Sequence, residues 1–313
     1  MLINTVIGAL GLALLLLLLA QALNRLMPET AARWIHRWLR NRAGMAAAVQ
    51  QLQGFKTPYL HGGKGEVLVL LHDVASGKDR LIEVALHLQG HMRLLIPDLA
   101  GHGDADKDPN ADYRVEAQVQ RLREFVQSQK LDHVHLGGVG MGGTIAAWYA
   151  ALHPNEVASL WLINASATRD AWDADWVQTY DATGKSPMVV QTMQEHMAKW
   201  KLAMGEANYL PHCVMHSWAN ASNRDFVLHQ SILKAMRHTE PIENRYAGLL
   251  TPALIVGGEL DRIVPSASAR TLSKVFTRGQ TVVVQDLGHV AHLEAPTQIS
   301  LDYLAFRAKL TAV

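Results

Sequence analysis

The sequence has little cysteine and almost no net charge. Its single cysteine, Cys213, cannot form an internal disulfide, so nothing in the chain requires an oxidising compartment. A formal net charge of +1 gives no electrostatic basis for binding nucleic acid, and we predict no nucleic-acid partner. Charged residues make up 18% and hydrophobic residues 49% of the 313 residues, which is typical of a globular protein with a sizeable core and excludes a disordered chain.

Charge is also missing from the first 24 residues, where the segment Leu2 to Leu23 is almost unbroken apolar sequence. At about 1.5 Å per residue, such a helix can cross a hydrocarbon core of about 30 Å. A secretory signal peptide is the alternative, because Ala20-Gln21-Ala22 resembles a cleavage site, but the positive residues that should precede the apolar run are absent. Positive residues follow the run instead: Arg25, Arg33, Arg37, Arg40 and Arg42. We therefore predict a single uncleaved transmembrane helix over residues 1–27, with the rest of the chain facing the cytoplasm.

Residues 28–53 are predicted to form an amphipathic interfacial helix and a linker. Within AARWIHRWLRNR at 31–42, the residues Trp34, Ile35, Trp38 and Leu39 share one helical face and arginines occupy the other. Aromatic rings at headgroup depth and cations facing anionic lipid are what such a helix needs. The alternative is an amphipathic helix that packs on the globular domain.

From residue 66 onward, short apolar runs alternate with helical patterns. This alternation, seen in runs such as Val67–Leu71 and Ser159–Asn164, predicts an α/β fold with a mostly parallel sheet covered by helices. It stops over residues 166–247, which are rich in tryptophan and mostly helical in pattern, and then resumes. We predict two halves of one core, residues 54–165 and 248–313, separated by a helical lid.

A sharp turn after the fifth strand carries the first chemical motif. Residues 138–143 read GVGMGG, which has the form of a G-x-S-x-G nucleophile elbow with Gly140 at the serine position. Asp261, after the next-to-last strand, stands where a triad acid would be, and His289, after the last strand, stands where the base would be. The order elbow, acid, histidine is the chain order expected of such a site.

With LLHD at 70–73 and PDLAGHGDAD at 97–106, these motifs make residues 54–313 resemble the α/β-hydrolase superfamily. The likeness is closest to membrane-anchored monoacylglycerol lipases and related bacterial lipases and esterases. The resemblance implies hydrolysis of acylglycerols or carboxylic esters. It also implies catalytic positions at 140, Asp261 and His289, and an oxyanion region that includes Asp73 and Met141.

Two departures argue against transferring that activity. Gly140 removes the nucleophile, a loss of about 10⁶ in kcat in a triad enzyme. Asp73 replaces the usual glycine of the oxyanion loop with a carboxylate that would oppose a developing oxyanion. We therefore predict a non-catalytic protein that binds membrane lipid, an acyl chain or monoacylglycerol, or a protein partner.

Several alternatives stay open. The chain could be an active carboxylic-ester hydrolase in which His289 and Asp261 act with water, or with an original serine at position 140. Asp73 could be a carboxylate nucleophile in another chemistry. Residues 138–143 also match the dinucleotide fingerprint G-x-G-x-x-G, but the next strand ends at Asn164 where an acidic residue is expected. The histidine pairs 289/292 and 133/135 have no third ligand at a telling spacing, so we predict no metal and no cofactor.

Overall fold

The computed structural model describes residues 2–52, 54–205 and 210–311. Within them, eight strands form one sheet in the order β1-β2-β4-β3-β5-β6-β7-β8. The strands are β1 Met45–Leu52, β2 Phe55–Gly63, β3 Glu66–Leu71, β4 Met92–Pro97, β5 Val134–Val139, β6 Val157–Ile163, β7 Ala253–Gly258 and β8 Gly279–Val284. Strands β3 to β8 pair in parallel with their neighbours among these six. Strand β2 pairs antiparallel with both β1 and β4.

Helices cover both faces of this sheet. Those outside the segment between β6 and β7 are α1 Leu2–Leu26, α2 Pro28–Arg42, α3 Ile82–Leu88, α4 Val115–Ser128, α5 Met141–Leu152, α11 Ala267–Val275, α12 Ala291–Glu294 and α13 Pro296–Thr311. Helices α4, α5 and α11 contribute to one apolar core, and α3 and α13 to the other. Strands β5 and β7 are buried along their whole length, which explains why both are apolar or glycine apart from His135.

The hairpin β1–β2 is the part of the sheet that the sequence pattern missed. Residues 28–53 were expected to be an interfacial helix and a linker, but after α2 the chain enters β1 at Met45. Strand β1 (MAAAVQQL) is the edge strand, and most of its side chains are exposed or half-buried. An edge strand of this kind needs no apolar run, so hydropathy does not reveal it.

The first two helices differ in how they meet the rest of the chain. Helix α1 is apolar and long enough to cross a membrane, and none of its candidate span is buried against the protein. In α2, Ala31 and Ala32 are buried, and Ile35 and Leu39 pack on the domain. Trp34 and Trp38 remain 63% and 56% exposed. The apolar face predicted for α2 is therefore divided, with its aliphatic residues packed on the domain and its tryptophans outward.

Helices alone form the segment between β6 and β7, as far as it is described (166–205 and 210–247). A short 3-10 turn precedes α6 Asp175–Thr183, α7 Met193–Ala203, α8 His212–Arg224, α9 Phe226–Arg237 and α10 Ile242–Arg245. Helix α8 packs along α2, where Ser217 and Asn220 donate to the Glu29 carboxylate at 2.9 and 2.8 Å. The insertion is thus held against the helix that directly follows α1.

Candidate active site

The elbow lies between β5 and α5 and depends on glycine. Gly140 has φ +51°, a left-handed conformation that glycine adopts without steric cost, and its N–H donates to the Ile163 carbonyl at 3.0 Å. A Cβ on Gly142 would lie 2.6 Å from the carbonyl carbon of Leu71. The turn therefore keeps the sharp geometry of a nucleophile elbow although it carries no hydroxyl at position 140.

The carboxylate of Asp73 occupies the space in which a side chain at position 140 would stand. A Cβ built on Gly140 would overlap Asp73 Oδ1 and lie 2.5 Å from its Cγ. Asp73 Oδ1 also accepts the backbone N–H of Met141 at 2.8 Å, the donor that follows the nucleophile position in an oxyanion hole. One carboxylate thus fills both the position of the serine side chain and that of the oxyanion.

His289 lies between two carboxylates. Its Nδ1 is 2.9 Å from Asp261 Oδ2, and its Nε2 is 3.1 Å from Asp73 Oδ2. Burial disfavours the imidazolium, but the charges and hydrogen bonds of Asp261 and Asp73 outweigh it and raise the pKa of His289 to about 10. Both ring nitrogens of His289 then donate at neutral pH, one to each carboxylate. The structure thus brings Asp73, His289 and Asp261 together as an ion-pair chain with the imidazolium in the middle.

The same contacts keep Asp73 ionised. Burial favours its neutral form, but the hydrogen bond and charge of His289, with the N–H groups of Met141 and Val74, lower the pKa of Asp73 to about 2. His72 supports the loop from behind: its Nδ1 lies 2.8 Å from the Asp73 carbonyl oxygen, and its Nε2 accepts the Leu99 N–H at 3.0 Å. The loop that carries Asp73 is therefore fixed by hydrogen bonds on both sides.

Asn164 is a site residue whose role the sequence did not indicate. Its Nδ2 donates to Asp261 Oδ2 at 2.6 Å, while Asp261 Oδ1 accepts the N–H groups of Ile263 and Val264 at 2.8 and 2.9 Å. Asn164 has a positive φ of 48° at the end of β6. A polar residue at the carboxyl end of a central parallel strand is the signal that could have indicated it.

The cavity above these residues is small. Its volume is about 30 Å³, enough for a water molecule or two but not for an acyl chain. Among the described residues that line it, Ser166 carries the one hydroxyl, and that oxygen lies 3.0 Å from the Thr144 hydroxyl. Both ring nitrogens of His289 are taken by carboxylates, so Ser166 is not a substitute nucleophile in this arrangement.

A family model for the alpha/beta hydrolase fold matches residues 60–296. The chain belongs to the α/β-hydrolase family. The predicted fold, a mostly parallel sheet flanked by helices, is thereby confirmed.

Curated relatives and solved structures give the same assignment. Lipase 1 of Psychrobacter immobilis is 32% identical over 267 residues, 83% of each chain. Monoacylglycerol lipase ABHD6 of Rattus norvegicus is 25% identical over 301 residues, 90% of this chain and 88% of that one. The crystal structure of a membrane phospholipase A, a bacterial virulence factor, superposes with a TM-score of 0.88 at 27% identity, covering 98% of this chain and 99% of that one. This chain is therefore an α/β-hydrolase-fold protein of the lipase and esterase type.

Proposed function

We propose that this protein is a membrane-anchored α/β-hydrolase-fold protein that has no hydrolase activity and binds lipid. The observation that carries the proposal is the position of Asp73, whose carboxylate fills the space of the missing serine side chain and accepts the Met141 N–H. The names of its relatives, which include lipases and a membrane phospholipase, support lipid as the ligand class.

The charge state of His289 argues against hydrolysis by activated water. A general base must be unprotonated at the working pH, and the pKa of His289 is raised to about 10 by the two carboxylates beside it. The position of Asp73 argues against acyl transfer as well, because a carboxylate in the oxyanion position would repel the negative charge of a tetrahedral intermediate. The base and the oxyanion donor are thus both engaged by the same side chain.

The direct test is labelling of the full chain with a fluorophosphonate, together with assays on p-nitrophenyl esters and monoacylglycerols. We expect no covalent adduct by intact-mass measurement and no ester hydrolysis above the His289→Ala variant. Hydrolysis by the wild type that depends on His289 would contradict the proposal and favour the water-activated alternative.

One observation favours a second function, in which Asp73 is a nucleophile toward a saturated carbon. One of its oxygens is held by the Met141 N–H while the other faces His289, a suitable arrangement for attack on an epoxide. Asp73 Oδ2 would form an ester bond as the epoxide C–O bond breaks, and His289 would give its proton to the alkoxide. Neutral His289 would then take a proton from water, which attacks the ester and releases a diol.

Intact-mass measurement after incubation with a terminal alkyl epoxide tests this second function. A covalent adduct that is lost in Asp73→Asn, or diol formation that requires His289, would establish it. If neither forms while the protein remains folded, the non-catalytic proposal stands.

Anchoring and orientation belong to the same proposal. The unburied apolar helix α1 and the exposed Trp34 and Trp38 of α2 support insertion of α1 with α2 lying along the membrane surface. The arginines that follow α1 support a cytoplasmic domain. Protease added to intact cells should leave the domain undigested, and digestion from outside or a mature N-terminus near Leu23 would contradict the orientation.

A further inference from the structure

Arg80 is a buried cation without a hydrogen-bond partner in the described part of the chain. It follows the Asp73 loop in the 3-10 turn Lys78–Leu81 and is 9% exposed. Its guanidinium stacks on Trp218, 3.7 Å from the ring centroid, and lies 5.2 Å from the centroid of Trp200. Burial lowers the pKa of Arg80 to about 9, so the side chain is still charged at neutral pH.

Two other buried cations of the described chain, Lys78 and Arg307, are paired with carboxylates. Lys78 contacts Asp98 and Asp104, each at 2.6 Å, and Arg307 contacts Glu66. The carboxylates near Arg80 are already used, because Asp79 binds Arg40 through two hydrogen bonds and Asp73 binds His289 and the Met141 N–H. A buried charge normally has a counter-charge, and no described residue accepts a hydrogen bond from the guanidinium of Arg80, so its five N–H donors can bind an anion from outside the chain.

A second buried basic side chain lies near Arg80. Lys199 of α7 is 7% exposed, and its Nζ donates to the Met188 carbonyl at 2.6 Å without a carboxylate partner among the described residues. Burial and the positive charge of Arg80 lower the pKa of Lys199 to about 7 and that of His196 on the same helix to about 3. At neutral pH His196 is therefore neutral and Lys199 is only partly protonated, so Arg80 is the main positive charge of this region.

Two cavities meet at Arg80. Their volumes are about 290 and 510 Å³, and His36, Asp79, Arg80 and Trp218 line both. Four other carboxylates line the smaller one: Asp98 and Asp104 pair with Lys78, Asp225 pairs with Arg224, and Glu29 accepts hydrogen bonds from Ser217 and Asn220.

The larger cavity is mainly apolar, but Glu83 and Glu294 also line it, and the Glu294 carboxylate accepts the N–H groups of Gly205 and Gly288. Ile35 and Leu39 of α2 form one wall, and Met204, Val214 and Leu293 contribute the other. Its volume lies within the range of about 300–1,000 Å³ usual for small-molecule sites. Helix α2 directly follows the apolar helix α1, so the wall of the cavity that α2 forms belongs to the part of the domain next to α1 in the chain.

We propose that Arg80 binds the anionic head of a single-chain amphiphile whose hydrocarbon chain lies in the larger cavity against α2. A long-chain carboxylate and an alkyl phosphate share this chemistry, since both offer oxygens that a guanidinium contacts in pairs. The inference goes beyond the proposed function because it assigns the ligand to a site outside the small cavity at the elbow. Its failure is distinguishable from that of the proposed function, which is tested by ester hydrolysis and not by binding.

Quenching of tryptophan fluorescence by brominated amphiphiles measures this binding, because Trp200 and Trp218 lie beside the guanidinium. The full chain is placed in phosphatidylcholine nanodiscs and titrated with bromododecanoate, with bromododecyl phosphate, and with the methyl ester of bromododecanoate as the uncharged control. We expect saturable quenching by at least one anion at a concentration at least tenfold below that needed for the ester. The stronger of the two anions identifies the head group. Equal quenching by all three compounds would overturn the proposal.

Three variants locate the site. Arg80→Gln should weaken anion binding by about tenfold or more, the usual effect of removing a charged hydrogen-bond donor. Leu39→Trp should weaken it by filling the larger cavity while leaving Arg80 intact. Arg224→Gln, a control that removes a paired arginine from the smaller cavity, should bind as the wild type does. Unchanged affinity in a folded Arg80→Gln protein, or equal loss in Arg224→Gln, would also overturn the proposal.

Discussion

The elbow and the Arg80 cavity both bury charge, but they satisfy it in opposite ways. At the elbow, Asp73, His289 and Asp261 bond to one another and to backbone N–H groups around a cavity of about 30 Å³. At Arg80, a cation of similar burial stacks on aromatic faces, has no hydrogen-bond partner among the described residues, and opens on cavities of about 290 and 510 Å³.

The difference shows that a motif and a binding site need not coincide. The elbow keeps its backbone, acid and histidine, yet both carboxylates and both ring nitrogens of His289 are engaged within the chain. Arg80 belongs to no motif. No acceptor among the described residues bonds to its guanidinium, which lies next to a mainly apolar cavity. Binding energy is available where polar groups are held in place and lack partners, and that condition holds at Arg80.

The largest expected effect comes from reopening the elbow. Gly140→Ser alone should give weak fluorophosphonate labelling, because the new side chain competes for space with the Asp73 carboxylate. Adding Asp73→Gly should raise the rate by about 100-fold or more over Gly140→Ser, since it frees both the Met141 N–H and His289. Labelling rates measured by intact mass would show this gain.

His289→Ala in the double variant is the control and should abolish the gain. A folded double variant that stays unreactive would mean that the lid-side wall of the cavity has also diverged. The elbow would then be closed by more than one side chain.

The second largest effect is expected on the free energy of unfolding, when the charge of Asp73 is removed. Asp73→Asn keeps the shape of the side chain but removes one charge of the ion-pair chain, and we expect a loss of about 1–3 kcal/mol in the free energy of unfolding. Chemical denaturation of the full chain in mild detergent would measure it. Equal stability of the two proteins would mean that the carboxylate contributes no net stabilisation.

The pH dependence of that difference follows from the two pKa values. Because the pKa of His289 is raised from 6.5 to about 10, its contribution is complete below pH 6.5 and is lost as the pH rises toward 10. Because the pKa of Asp73 is lowered from 3.8 to about 2, its contribution is complete above pH 3.8 and is lost as the pH falls toward 2. The advantage of the wild type over Asp73→Asn should therefore be greatest between about pH 4 and 6.5. An advantage that grows between pH 7 and 10 would contradict these assignments.

The smallest effect is expected at Arg80. Arg80→Met removes a buried charge that has no ion-pair partner among the described residues, so the relief of desolvation offsets the loss of stacking on Trp218. We expect the free energy of unfolding to change by less than about 1 kcal/mol. A loss as large as that of Asp73→Asn would show that Arg80 is a structural residue and would remove the contrast between the two regions.

The sequence predicted some elements of this molecule and not others. The central strands and the positions of Gly140, Asp261 and His289 were predictable, because buried parallel strands are continuous apolar runs and their carboxyl ends meet at one edge of the sheet. The edge strand β1 was not, since its half-exposed small and polar residues leave no period to detect.

The sequence by itself determined the fold, the glycine at the elbow and the presence of a carboxylate at position 73. Only the tertiary structure decided that this carboxylate enters the space of the serine side chain and takes both His289 and the Met141 N–H. It also decided that Arg80 is buried without an ion-pair partner among the described residues. The physical reason is that the partner of a charge is set by distances between segments far apart in the chain, here 216 positions from Asp73 to His289, and no local pattern encodes those distances.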